Sequence, residues 1–224
     1  MVIVFDLDDT LYDEVMFVRG GFKAVSDYLE LTYNIPASDS YHYMNERLKI
    51  GRNHIFDSLL SYYHLSSKLL VKKCVSIYRR HKPDIHLYPE AETLLENLKD
   101  YPVYIVTDGN KEVQKSKLLS LGLYTKVKFC FVTHYYGKIN AKPSPYCFLK
   151  ICQREKVSPE QVVYIGDNPN KDFVKIKTLG FKTIRVLQGH FKNIRKDKNF
   201  EADYIISSLG ELNIDFLRKV LTAK

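Results

Sequence analysis

Asp6 and Asp8, in the run Phe5-Asp6-Leu7-Asp8-Asp9-Thr10, stand two positions apart directly after the apolar stretch Val2 to Phe5. On an extended backbone such residues face the same side, so the two carboxylates would share one pocket. One could attack an electrophile while the other carries a proton. Comparable polar sets follow other apolar runs: Thr107, Asp108, Gly109 and Asn110 after Val103 to Val106, and Gly166, Asp167 and Asn168 after Val162 to Ile165. Two carboxylates about 4 Å apart repel by roughly 4 kcal/mol at an effective dielectric near 20, so such a gathering calls for a cation. An all-oxygen donor set with room for water favours Mg2+ over zinc. By itself DxDDT is equally a polar turn after a strand, and the agreement of the other segments gives it chemical meaning.

These side chains must be positioned by the elements that precede them. Six short runs rich in β-branched and aromatic residues (2–5, 103–106, 129–132, 162–165, 183–187 and 204–206) are expected as strands. Helical periodicity lies between them: Ala91, Leu94, Leu95 and Leu98 share one face, and Gly122 and Gly180 should stop helices that begin near 111 and 170. Such alternation implies right-handed crossovers and an α/β fold, a doubly wound parallel sheet. In an open sheet of this kind ligands bind beyond the carboxyl ends of the strands, where the polar sets fall.

Residues 13–85 break the rhythm. They hold no convincing strand, but Val18, Phe22, Val25 and Leu29 form one helical stripe, Phe56, Leu59, Leu60 and Tyr63 another, and Leu70, Cys74 and Ile77 a third. With a weaker helix over 38–49, this is a helical insert, so the expected organisation is 1–12 and 86–224 as one α/β unit and 13–85 as a helical one.

At 224 residues, 45% apolar and 27% charged, the chain suits one domain plus an insert, or two small domains. No window approaches 18 consecutive apolar residues and no basic region precedes Val2, so neither a membrane span nor a secretory signal is expected. Cys74, Cys130, Cys147 and Cys152 lie scattered without metal or disulfide spacing, as in a reduced cytoplasmic protein. The net charge of +8 would draw in an anionic substrate. The basic residues, from Lys72, Lys73, Arg79 and Arg80 through Lys115, Lys117, Lys126 and Lys128 to Arg195, Lys196 and Lys198, are dispersed. That favours a solvated basic surface over a nucleic-acid stripe. Self-association leaves no mark in the sequence.

With these residues in view, the chain resembles the haloacid dehalogenase-like (HAD) hydrolase superfamily, through four motifs in the family's order from residue 6 to residue 172. Phe5-Asp6-Leu7-Asp8-Asp9-Thr10-Leu11 is similar to the first motif, Thr107 to the second motif's phosphate-binding hydroxyl, and Lys142 in Ala-Lys-Pro-Ser-Pro to the third motif's lysine. Gly166-Asp167-Asn168-Pro169-Asn170-Lys171-Asp172 is similar to the fourth. The resemblance implies a Rossmann-like core with a helical cap at 13–85, Asp6 as nucleophile and Asp8 as general acid and base. It also implies Mg2+ held by Asp6, Asp167 and the Asp8 main-chain carbonyl, with Asp172 supporting the lysine and the metal shell. Asp9 is given no catalytic role, and Asp108 would meet phosphate through its backbone N–H with its carboxylate turned away.

The resemblance admits phosphatases, phosphomutases, phosphonatases and dehalogenases. Asp8 argues against the dehalogenases, which need no acid for a leaving halide, and no lysine of the insert fits a Schiff-base role. The expected activity is therefore Mg2+-dependent hydrolysis of a small phosphorylated metabolite, a nucleoside monophosphate or a sugar phosphate, through an aspartyl phosphate. A mutase, a non-catalytic phosphate-binding protein and a nucleic-acid end phosphatase are the alternatives. Substrate selection would fall to the insert, with Arg19 and Arg52 as anion contacts and Phe17, Arg47 and His54 as further candidates.

Overall fold

The computed structural model describes residues 1–222. Among the described residues six parallel strands form one sheet: β1 (Val2–Phe5), β2 (Val103–Thr107), β3 (Phe129–Val132), β4 (Val162–Gly166), β5 (Lys182–Val186) and β6 (Tyr204–Ile206), in spatial order β3-β2-β1-β4-β5-β6. The expected runs differ from these by at most a residue at either end. Ten α-helices are described: α1 (Glu14–Tyr33), α2 (Ala37–Ile50), α3 (Ile55–Tyr62), α4 (Lys68–Arg80), α5 (Pro89–Asn97), α6 (Lys111–Ser120), α7 (Leu123–Lys126), α8 (Tyr146–Glu155), α9 (Val174–Lys177) and α10 (Ile214–Thr222). The α/β architecture is the doubly wound one.

The strands β1, β2 and β4 are buried along their whole length, which explains why they read as unbroken apolar runs rather than alternating ones. On one face of the sheet Val2, Val4, Tyr104, Val106, Val162 and Tyr164 pack with Phe148, Ile151, Phe173 and Phe181. The strand order reverses at β1, whose neighbours are β2 on one side and β4 on the other. That reversal opens a crevice at the carboxyl ends of β1 and β4. The registers Phe5 to Ile105 and Phe5 to Ile165 set Asp6, Thr107 and Asp167 one or two residues past a common level.

The chain separates into two compact units, Met1–Glu14 with His86–Lys224, and Val15–Ile85. In the second, α1 to α4 enclose a core of their own from Val18, Phe22, Val25, Leu29, Met44, Leu59, Leu60, Leu70 and Cys74. Ser67 caps α4 by accepting the Leu70 N–H.

The helix expected from 170 is reduced to α9. Ahead of it the backbone is held in a turn by side chains, Asp172 Oδ2 accepting the Asn168 N–H at 2.9 Å and Asn168 Oδ1 the Asn170 N–H at 3.0 Å. Cys74, Cys147 and Cys152 are buried and Cys130 is partly so; all four are free. No described helix is long and apolar enough to cross a membrane.

Candidate active site

Asp6 follows β1 directly, and its backbone N–H still bonds to the Ile165 carbonyl at 2.8 Å, so the sheet itself aims it. Lys142, in the segment before α8, reaches into the same place. Its Nζ lies 2.8 Å from Asp6 Oδ1, 2.8 Å from Asp172 Oδ1 and 2.9 Å from the Tyr164 hydroxyl. Those three acceptors satisfy all three ammonium protons of a side chain that is 1% exposed. Burial by itself would lower the lysine's pKa, but Asp172 and Asp6 outweigh it and hold Lys142 charged, well above its usual range. Tyr164 also donates to Asp172 Oδ1 at 3.2 Å, which leaves Asp172 firmly tied to the lysine.

Gly166 makes this approach possible. A Cβ at that position would stand 2.6 Å from Asp172 Oδ2, closer than a Cβ packs against a neighbouring atom.

Asp6, Asp167 and Asp172 each present a carboxylate oxygen, and these atoms lie within 4.8 Å of one another in a buried position. Among the described residues none donates a hydrogen bond to the Asp167 carboxylate, and burial together with the charges of Asp172, Asp6 and Asp9 pushes it up to about 9. Asp6 is likewise raised by burial, to about 7, even with Lys142 beside it. Asp6 and Asp172 share the one ammonium of Lys142 and Asp167 stands beside them without a cation of its own, so the pocket is rich in hard oxygen donors. This set fits a divalent cation such as Mg2+.

Asp8 is held differently. Its Oδ1 accepts from the Tyr12 hydroxyl at 2.6 Å and from Lys117 Nζ at 2.6 Å, and its Oδ2 accepts from Gln114 Nε2 at 2.8 Å. Burial alone would raise its pKa, yet Lys117 and the three hydrogen bonds prevail and lower it. The resting Asp8 is a carboxylate. Gln114 Nε2 also donates to Thr107 Oγ1 at 2.6 Å, so the Thr107 hydroxyl keeps its own proton to donate.

The Asp108 carboxylate is occupied by its own partners: Oδ1 accepts from Thr133 Oγ1 and from the Lys142 N–H, and Oδ2 pairs with Lys171 at 3.0 Å. Asp9 has a left-handed backbone, φ 54°, and its carboxylate receives the N–H groups of Glu14 and His190 at 3.0 Å each. It ties two loops together.

The structure thus brings Asp6, Lys142, Asp167 and Asp172 into one cluster, and joins Asp8 to Thr107 through Gln114. Arg19 is exposed on α1, and Arg52 lines a cavity of about 270 Å³ within the helical unit, together with Phe22, Ile55, Tyr78 and Arg79. Tyr12, Gln114, Lys117 and Tyr164 also serve the site, although no motif in the sequence singles them out. Lys117 is not one of the solvated basic residues the sequence suggests: its side chain is 3% exposed and pairs with Asp8 and Glu14. The signal was present in α6, where Val113, Gln114, Lys117 and Leu118 form the buried face and the helical period demanded two polar residues on it.

The haloacid dehalogenase-like hydrolase family model matches residues 1–174, and a HAD-hydrolase-like model matches residues 139–212. A glyceraldehyde 3-phosphate phosphatase of Methanocaldococcus jannaschii is 29% identical over 97% of each chain. That of Pyrococcus furiosus is 28% identical over 94% of this chain and 90% of its own. Among solved structures, a HAD phosphatase from Thermococcus onnurineus superposes with a TM-score of 0.61 at 25% identity, over all of this chain and 98% of that one. The chain belongs to the haloacid dehalogenase-like hydrolase family, on its phosphatase side.

Proposed function

We propose that this phosphatase cleaves the ester of a small phosphorylated metabolite through a covalent phosphoryl group on Asp6, and that its substrates are short sugar phosphates of the triose class. The observation that carries the chemistry is the buried Lys142 ammonium shared by Asp6 and Asp172 at 2.8 Å each. A fixed cation beside a carboxylate at the end of a central strand is a seat for a phosphoryl group that the carboxylate can attack. Support for the triose class comes from the relatives named as glyceraldehyde 3-phosphate phosphatases, which align along nearly the whole chain.

In the first displacement an Asp6 oxygen bonds to phosphorus, the ester P–O bond breaks, and a proton from Asp8 goes to the departing alkoxide. In the second, water bonds to phosphorus as Asp8 takes its proton, and the bond from phosphorus to Asp6 breaks to release inorganic phosphate. Resting Asp8 is ionised, the form the second displacement needs. A phosphate dianion entering the pocket adds like charge and draws a proton onto it for the first. The Thr107 hydroxyl and the Asp108 N–H donate to phosphoryl oxygens, and Lys142 neutralises them. Asp6, Asp167 and the Asp8 carbonyl, with Asp172 beside them, would hold Mg2+, which when bound offsets the repulsion between carboxylate and phosphate. Selection among esters is assigned to 13–85 as a cap, with Arg19 and Arg52 as its anion contacts.

The test is phosphate release from glyceraldehyde 3-phosphate, longer sugar phosphates and nucleoside monophosphates, with Mg2+, with EDTA, and with Asp6→Asn as blank. Metal-dependent release concentrated in the trioses, and absent from the blank, is expected. Release by Asp6→Asn at the wild-type rate would remove Asp6 as nucleophile, and preference for nucleotides would remove the triose assignment.

A further inference from the structure

The Asp8 carboxylate is held by an arrangement that distinguishes its two oxygens. Each carboxylate oxygen has two in-plane lone pairs. Oδ1 spends both, on Tyr12 Oη and Lys117 Nζ, each at 2.6 Å. Oδ2 spends one, on Gln114 Nε2 at 2.8 Å, and among the described residues no other donor reaches it. Gln114 and Lys117 lie three positions apart, on one face of α6, and both are buried. The Gln114 side chain is confined: Gly109, at φ 139°, leaves the space in which it lies, and a Cβ there would meet Gln114 Cδ and Cγ at 3.2 Å each. The same amide nitrogen that holds Oδ2 also holds Thr107 Oγ1, at 2.6 Å. One side chain therefore registers Asp8 against the end of β2.

We propose that Gln114 and Lys117 are positioning residues for proton transfer by Asp8: Lys117, together with Tyr12, saturates Oδ1, and Gln114 turns the remaining lone pair of Oδ2 toward the ester oxygen. The proton that leaves Asp8 in the first displacement, and the one taken from water in the second, both reside on Oδ2. Lys117 and Gln114 do not touch the substrate; they determine which oxygen does. The proposal rests on the reading of Asp8 as the acid and base.

The two esters of the test differ in whether departure needs a proton. An alkoxide such as that of a triose needs one, and p-nitrophenolate does not. Because kcat/KM reports every step through departure of the alcohol, it isolates the acid role from the later attack of water. Gln114→Leu, Lys117→Met and Asp8→Asn are compared with wild type on glyceraldehyde 3-phosphate and p-nitrophenyl phosphate, after folding is checked by circular dichroism. Gln114→Leu leaves no buried charge alone and is the variant expected to fold in every case. Both α6 variants should lose kcat/KM on the alkyl ester by on the order of 10–100-fold, and by less than about threefold on the aryl ester, with Asp8→Asn showing the same pattern more strongly. Equal loss on the two esters by Gln114→Leu, with Asp8→Asn still selective, would mark α6 as structural only and overturn the proposal. Equal loss by Asp8→Asn as well would overturn the acid reading beneath it.

Discussion

Lys142 sets its ammonium 2.8 Å from Asp6 Oδ1, with the two side chains only 1% and 6% exposed. A buried pair of this kind adds little net stability over a well-packed apolar pair, but removing one partner strands the other. Lys142→Met leaves Asp6 and Asp172 without their shared cation, and is expected to cost about 3–5 kcal/mol in urea unfolding and to abolish phosphate release. A Lys142→Met protein within about 1 kcal/mol of wild type would show that the pair does not carry this load.

Gly166 and Asp172 set a steric limit on the same cluster. The 2.6 Å approach that a Cβ would make to Asp172 Oδ2 leaves no slack, because Asp172 is held by Lys142, Tyr164 and the Asn168 N–H. Gly166→Ala is expected to cost about 1–3 kcal/mol by overpacking and to lower turnover by displacing Lys142. Thermal unfolding and phosphate release measured together test this. Unchanged values in both would mean that the loop after β4 shifts freely.

How far the sequence carries the fold depends on the range of the interactions. Val2 to Phe5 reads as a buried strand because both of its faces are covered, which is written locally as an unbroken apolar run. Asp6, Thr107 and Asp167 read as neighbours because strand ends of a parallel sheet converge. Lys117 was hidden because its partner, Asp8, is 109 positions away and nothing local distinguishes a buried ion pair from a solvated lysine. Tyr164 was absorbed into its strand as one more apolar residue, although its hydroxyl serves Lys142. Residues 170–173 show the opposite case: the local pattern suggests a helix there, and the chain instead makes a turn tied by the side chains of Asn168 and Asp172 to nearby backbone.

Asp167 is where stability and metal binding should part. Its carboxyl is buried with Asp6 and Asp172 and has no donor among the described residues, so near pH 7 the metal-free fold must hold it protonated, against its unfolded pKa, at a cost in stability. Asp167→Asn is expected to stabilise the metal-free protein by on the order of 1–3 kcal/mol, while abolishing both the rise in unfolding temperature that Mg2+ gives wild type and phosphate release. A destabilised Asp167→Asn that still gained stability from Mg2+ would place the metal elsewhere.

Asp108 gives the acid limb of stability a defined contribution. Burial tends to raise its pKa, but Lys142, Lys171 and the Thr133 hydroxyl overcome this and bring it from 3.8 to about 2. A carboxylate held below its unfolded value stabilises the fold fully above that value, and the benefit is lost as pH falls through the folded one. Here the window runs from about 4 down to about 2, and the contribution is on the order of 2 kcal/mol. Asn at this position can still accept from Thr133 and the Lys142 N–H, but it forfeits the ion pair with Lys171. Asp108→Asn should therefore be less stable than wild type by about that amount near pH 7, and the two proteins should converge as pH approaches 2. Urea midpoints across this range decide it. A deficit that persisted undiminished at low pH would show that the loss comes from packing or geometry, not from the charge on Asp108.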